Sequence, residues 1–378
     1  MDRANPEAET ARENILVRGV NWLGDAVMTT PALLRLRESR PRARMTLLTP
    51  AKLAGLWEGQ SFLDELMVVP AGAGLFQTAS RLRAGRFSIA VALPNSFRSA
   101  LELWLAGIPR RAGYARPGRT LLLTDPVVPR SGAVRMRKRG AREIRSLIKS
   151  NAKPPSIPPA AHHIYDYLHL VATLGASEEP LAPSLSLGQK EATRLADKMG
   201  MDQESARPWF GLNPGAEYGP AKRWPAERFV AAALELQKRT QCRWVVFGVE
   251  ADRELAAGIA EGIGGAAAGS AAALNLAGRT NLRELMAGLK CCRLLLTNDS
   301  GPMHLAAALG TPVVALFGST CPEMTGPKSS DCAQVVRASE VACSPCFLRQ
   351  CPVDFRCMKG ILPAEVVEAG LRVLEARG

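Results

Sequence analysis

"TNDSGPMHLAAALGTPVVALFG", residues 297–318, decides how the second half of this chain folds. An apolar run ends in Asn-Asp-Ser-Gly, a small-residue helix follows, and Gly-Thr-Pro leads into a second apolar run. A strand, a tight turn, a helix and another strand make the repeating unit of a parallel sheet. The turn brings backbone amides and the positive end of a helix toward one point, a geometry that suits a diphosphate. A serine nucleophile would be expected in a Gly-x-Ser-x-Gly elbow, which is absent. A zinc site would need more histidine or cysteine than His304 alone. Asp299, Ser300, Gly301 and His304 are therefore read as the lining of an anion cradle.

The same alternation runs outward from this stretch. "PWFGLNPG" (208–215), "RWVVFGVE" (243–250), a shorter "ALNLAG" (273–278), "CRLLLTND" (292–299) and "TPVVALFG" (311–318) are expected strands separated by helix-length segments. "PAEVVEAGLRVLEAR" (363–377) opens on Pro and has helical spacing, as a closing helix would. The first half shows an independent series: "NILVRGV" (14–20), "MTLLT" (45–49), "ELMVVP" (65–70), "FSIAVALP" (87–94) and a strand in "GRTLLLT" (118–124). "HHIYDYLHLVATLG" (162–175) reads as an amphipathic helix ending at Gly175. At 378 residues the chain suits two such domains. The expected division is an N-terminal domain at 14–175 carrying a basic insertion at 130–160, a linker at 176–206, a C-terminal domain at 207–362, and the last helix at 363–378. The fold class is α/β, with two Rossmann-like doubly wound halves facing a central cleft.

Ligands bind beyond the carboxyl ends of such strands. In "GVNWLGDAVM", Gly24 permits a tight turn and Asp25 stands where a helix begins, either as its cap or as a general base. In "NPGAEYGPAKRWPAERF", Gly215 and Ala216 offer backbone amides, and Lys222 with Arg223 offers charge to a phosphate. In "VVFGVEADRE", Glu250 follows a strand end closely enough to accept hydrogen bonds from ribose hydroxyls.

Composition narrows the partners. Hydrophobic residues make up 47% and charged residues 22%, the balance of a globular chain. No apolar run reaches the ~20 residues that span a bilayer. The polar opening "MDRANPEAETARE" has no signal-peptide pattern, so a cytoplasmic location is expected. The formal charge is +13, and residues 130–153 hold nine basic residues against one acid, Glu143. Such a cluster attracts anionic lipid or a phosphorylated glycolipid. No aromatic residue interleaves with it, so nucleic acid is not an expected partner. Cys242, Cys291, Cys292, Cys321 and Cys332 are scattered and read as reduced thiols. Cys343, Cys346, Cys351 and Cys357 crowd into "CSPCFLRQCPVDFRC", where a metal, a disulfide or plain thiols are open readings.

Five stretches in order carry a resemblance: "ILVRGVNWLGDAVMTTPAL", "LPNSFRSALELWLAGIPRRAGY", "GRTLLLT", "NPGAEYGPAKRWPAERF" and "TNDSGPMHLAAALGTPVVALFGST". With them the chain resembles the lipopolysaccharide heptosyltransferases of glycosyltransferase family 9, most closely the heptosyltransferase II branch. The resemblance implies a GT-B fold and inverting transfer of L-glycero-D-manno-heptose from ADP-heptose to the first heptose of the lipopolysaccharide inner core, with no metal or cofactor in the chemistry. It implies a Kdo- and heptose-containing lipid A acceptor and transient contact with the inner leaflet of the inner membrane. Carried onto this sequence, Asp25 is the base and Lys222 the diphosphate contact, with Arg223 beside it. Glu250 holds the ribose and Asp299 the sugar hydroxyls, while Gly215, Ala216, Ser300, Gly301 and His304 line the donor pocket. Gly24, Asn95 and Arg98 fall on the acceptor side. The alternatives are a related transferase with another nucleotide sugar or acceptor, a sugar-nucleotide epimerase, and a glycolipid-binding protein with a vestigial pocket.

Overall fold

The computed structural model describes residues 13–265, 273–328 and 332–376. The polar opening stretch lies outside them apart from Glu13, as do the last two residues of the expected closing helix. The chain forms two compact units: one takes the chain through Asn21, Pro31–Ser131 and Asp166–Pro180, the other Trp22–Thr30, Gly132–Tyr165 and the chain from Leu181.

In the first unit β1 (Asn14–Arg18), β2 (Arg44–Pro50), β3 (Glu65–Val69), β4 (Ile89–Ala92), β5 (Arg110–Tyr114) and β6 (Asp125–Val127) form one parallel sheet, ordered β3-β2-β1-β4-β5-β6. Every residue of β4 is buried, as expected of a strand covered on both faces. Leu16, Leu48, Phe87, Ala90 and Leu103 fill one side of this core.

In the second unit β7 (Trp209–Asn213), β8 (Arg243–Val246), β9 (Leu274–Asn275), β10 (Cys292–Asn298), β11 (Val313–Phe317) and β12 (Ala333–Arg337) repeat the arrangement as β12-β11-β10-β7-β8-β9. All the pairings are parallel. Each sheet thus reverses strand order next to its own first strand, between β1 and β4 and between β7 and β10. Such a reversal opens a crevice at the carboxyl ends.

Helix Ala226–Thr240 covers the second sheet with Phe229, Ala232, Ala233 and Leu236, spaced to fall on one stripe. Trp224 precedes it and locks it down. Its ring is 2% exposed and meets Phe229 edge-on at 5.0 Å. Its indole donates to the Ile361 carbonyl at 3.2 Å, and its backbone N–H donates to Asn298 Oδ1 at 3.1 Å.

The structure departs from the sequence reading in several places, the grouping of Trp22–Thr30 with the second unit among them. "GRTLLLT" is not a strand: Thr120–Leu122 is a short 3-10 turn, and the edge strand begins at Asp125. The Thr120 hydroxyl bonds back to the Arg116 carbonyl, and the buried Arg119 points inward beneath Gly113. Strands β5 and β12 escaped the apolar pattern because β5 opens on Arg-Arg and β12 is a partly exposed edge. The expected linker contains helix Gln189–Lys198, held to helix Leu282–Cys291 by the bidentate Arg283–Glu191 pair. Residues 132–165 of the basic segment group with the second unit. There helix Ala141–Lys149 buries Ile144 against Cys343 and Cys346. Among the described residues no helix is long and apolar enough to cross a membrane.

Replacing Trp224 with Ala should lower the unfolding free energy by about 3–5 kcal/mol, the usual cost of emptying a buried aromatic site. A denaturant titration that leaves the midpoint unchanged would contradict this role for Trp224.

Candidate active site

Two asparagines open the crevice between β7 and β10. Asn298 donates from Nδ2 to the Pro214 carbonyl at 2.7 Å, while its Oδ1 receives Trp224. Asn213 Nδ2 reaches Thr297 Oγ1 at 3.3 Å and Ser300 Oγ at 3.2 Å. The Ser300 hydroxyl also lies 3.1 Å from Thr297 Oγ1. It is tied to the strand end and makes no cap bond to its own helix, Gly301–Ala308, whose first amides are left without a side-chain cap. Neither of these partners, Asn213 nor Thr297, is a base that could activate the hydroxyl for nucleophilic attack.

Asp299 takes up the charge of Lys222. Lys222 Nζ lies 2.6 Å from Asp299 Oδ2, which also accepts Thr320 Oγ1 at 2.5 Å, and the two side chains are 13% and 5% exposed. An ammonium has three donors. The pair uses one of them and leaves the others for a ligand oxygen.

Two adjoining cavities of the second unit gather these residues. One, of about 350 Å³, is bordered by Gly215, Ala216, Glu250, Ser300 and Gly301. The other, of about 320 Å³, has Gly24, Asp25, Lys222, Asp299 and His304 in its wall. Ser300, Gly301, Leu23 and Glu217 border both. Asp25 belongs here because Trp22–Thr30 is part of the second unit, with Leu23 packed against Gly301.

Asp25 lies in the first turn of helix Leu23–Met28. Among the described residues its carboxylate accepts no hydrogen bond, so the capping reading does not describe it. Burial pushes its pKa above the ordinary 3.8, against the opposing pull of His163 and Lys222. His304 is buried, and burial drives its pKa down to about 4, so the ring is neutral near pH 7. That ring presses on Gly24, where an added Cβ would stand 2.8 Å from its Cδ2.

Other expected residues are placed differently. Arg223 is in the wall of neither cavity and pairs at 2.9 Å with buried Asp252, which borders the first. Asp252 fills the space beside Gly215, where a Cβ would meet its Oδ2 at 2.1 Å. It escaped the sequence reading because Glu250, two residues earlier, carries the same charge. Glu250 itself is exposed and pairs with Arg253 at 2.8 Å. Asn95 and Arg98 belong to the first unit. Arg98 donates to Glu102 at 2.9 Å and to the Ala73 carbonyl at 2.8 Å. Buried Glu102 also receives Arg18 at 3.1 Å. Asn95 Oδ1 accepts from Arg119 at 3.4 Å. Arg119 Nε is buried without a partner, and burial lowers the guanidinium pKa to about 10.

None of the nine cysteines is joined in a disulfide. Among the described residues no group of three or more His, Cys, Asp or Glu is arranged to hold a metal ion. Burial lifts the thiols of Cys343 and Cys346, and that of Cys357 to about 12. These thiols stay protonated and pack as apolar groups.

Substituting Gly24 by Ala should displace the His304 ring and, with it, the Asp25 turn. An accompanying fall in turnover of ~10² is the scale expected when a reacting group is shifted by about an ångström. Full activity in this variant would show that the His304 contact does not position Asp25.

The chain matches the sequence profile of Glycosyltransferase family 9 (heptosyltransferase) over residues 127–355. It is 32% identical over 329 residues to lipopolysaccharide heptosyltransferase 2 of Salmonella typhimurium, covering 85% of this chain and 87% of that protein. The lipooligosaccharide heptosyltransferase 2 of Haemophilus ducreyi is 30% identical over 330 residues, with 85% and 88% covered. Among solved structures, the ADP-heptose lipopolysaccharide heptosyltransferase II of E. coli superposes with a TM-score of 0.75 at 28% identity, over 96% of this chain and 98% of that one. The fold is GT-B, and with its twin parallel sheets and the turn-and-helix cradle beyond β10, this chain belongs to glycosyltransferase family 9, the heptosyltransferases.

Proposed function

We propose that this enzyme moves L-glycero-D-manno-heptose from ADP-heptose to the first heptose of the lipopolysaccharide inner core, with inversion at the anomeric carbon. The observation that carries the reading is Asp25: a carboxylate with no hydrogen-bond partner among the described residues, raised in pKa, in the same cavity as Lys222 and Asp299.

In this reading the nucleoside lies in the cavity bordered by Glu250 and Gly278, with Glu250 accepting from ribose hydroxyls. The diphosphate spans the amides of Gly215–Ala216 and the start of helix Gly301–Ala308, where the helix dipole and open N–H groups favour anions. The heptose then enters the Asp25 cavity, where Asp299 can receive its hydroxyls. As the bond from the anomeric carbon to the β-phosphate oxygen breaks, negative charge grows on the departing ADP. Lys222 and the fixed amides stabilise that growing charge. On the opposite face of the sugar, Asp25 takes the proton of the attacking acceptor hydroxyl as the new bond forms. A raised pKa makes the ionised form of this carboxylate a stronger base than an exposed aspartate.

The exposed cations of the basic segment, among them Arg135, Lys138, Arg142, Arg145 and Lys149, support contact with the anionic acceptor lipid and the inner-leaflet surface. Helix Ala141–Lys149 turns Ile144 inward, so this contact is electrostatic and reversible, at the cytoplasmic face. His304, neutral and buried, holds the Asp25 turn by packing.

The variant Asp25→Asn should bind ADP as the wild type does and lose turnover by ~10²–10⁴. The wild-type kcat/KM should rise with pH through an acid limb centred above 3.8, because the ionised form is the base and burial shifts its pKa upward. Unaltered turnover in the Asn variant, or an acid limb that survives it unchanged, would remove Asp25 from the role.

A further inference from the structure

The four-cysteine segment has no part in the transfer as described so far, yet it reaches the reacting cavity. Its residues Phe347 and Arg349 stand in the same wall as Asp25 and Lys222. The segment is fastened on two sides. Toward β11, the Ser344 hydroxyl donates to the Gly318 carbonyl at 2.7 Å, and the N–H groups of Cys346 and Phe347 donate to the Ser319 carbonyl at 3.1 and 2.8 Å. Toward the turn after β7, Ala221 N–H donates to the Arg349 carbonyl at 3.0 Å, and Tyr218 Oη donates to the Phe347 carbonyl at 2.7 Å. Gly219 makes the second contact possible. Its φ of +150° disfavours a side chain, and an added Cβ would lie 2.5 Å from the Arg349 carbonyl oxygen.

The outcome of this fastening is a pair of cations on one aromatic ring. The Arg349 guanidinium carbon is 5.2 Å from the centre of the Tyr218 ring, and Lys222 Nζ is 4.9 Å from it. Lys222 is compensated by Asp299. Arg349 pairs with no carboxylate among the described residues, so it brings an uncompensated charge to the cavity. Two like charges held by separate, well-anchored loops cost energy unless an anion answers them.

We infer that Arg349 is a phosphate-binding residue, taking the terminal phosphate of the nucleoside diphosphate beside Lys222. A guanidinium presents a planar fork that binds two phosphate oxygens at once, which a lysine cannot do. Asp299 draws on part of the Lys222 charge, and Arg349 supplies what the leaving group then needs. Three of the segment's four thiols, those of Cys343, Cys346 and Cys357, are buried and steady it. Cys343 and Cys346 pack on Ile144 and Cys357 in the main core, so the segment holds its shape while offering Arg349. This inference rests on the donor reading above but not on the choice of acceptor.

The test is calorimetric titration of the full chain with ADP and with AMP, which lacks the terminal phosphate. In Arg349→Ala the Kd for ADP should rise about 10–100-fold, the loss of one or two charged hydrogen bonds. The Kd for AMP should stay within about two-fold, since no contact to the inner phosphate is removed. Arg349→Lys should recover part of the ADP affinity, and Gln350→Ala, at the exposed neighbour, should change neither. Thermal melts that match the wild type for Arg349→Lys separate loss of binding from loss of fold. Unchanged ADP affinity in Arg349→Ala overturns the inference; if only the acceptor KM rises, Arg349 belongs to the acceptor. A wild-type protein that binds no ADP would overturn the nucleotide reading and this inference together.

Discussion

The part-buried contact between Lys222 and Asp299 is the interaction on which the site depends. It joins the turn after β7 to the end of β10, the two strands that flank the reversal of the second sheet. Removing either partner of such a pair leaves an unanswered charge in a poorly hydrated place, at a typical cost of about 3–5 kcal/mol. Its tolerance rests on the neighbours: Thr320 gives Asp299 a second hydrogen bond, and Trp224 and Asn298 pin the chain on either side of Lys222 and Asp299. The ammonium keeps donors in reserve while its position is already set.

Around that contact the second unit separates tasks by burial. Asp25 has a raised pKa, and its carboxylate accepts no hydrogen bond among the described residues. His304, within the same wall, is pushed the other way and serves as neutral packing behind Gly24. Arg223 pairs with Asp252, whose carboxylate lies beside Gly215. Charge placement here follows from which groups water reaches and which loops are tied together, not from how many charged residues the motifs contain.

Much of this was legible in the sequence. The buried strands announce themselves as apolar runs, and Gly or Pro marks each turn at a strand end, so β7, β8, β10 and β11 and their ligand-facing ends could be read directly. The cradle residues were legible for the same reason: Asp299, Ser300 and Gly301 are contiguous with the strand that positions them. What escaped involved contacts distant along the chain. That Trp22–Thr30 packs with the second unit depends on Leu23 meeting Gly301, far away along the chain. Arg349 reaches the Tyr218 ring through a loop whose cysteines drew attention to metals instead. The Arg223–Asp252 pair likewise joins residues 29 positions apart. The "GRTLLLT" strand failed because a buried Arg119 has no signature in a pattern of apolar residues.

The measurement that bears most directly on this account is ADP release from ADP-heptose with two acceptors, a Kdo2-lipid A carrying one heptose and the same lipid carrying none. The account predicts release only with the mono-heptosylated lipid, accompanied by a product one heptose heavier. Equal or greater release with the bare lipid would contradict the acceptor assignment. No release with either acceptor would contradict the proposed donor and acceptor together.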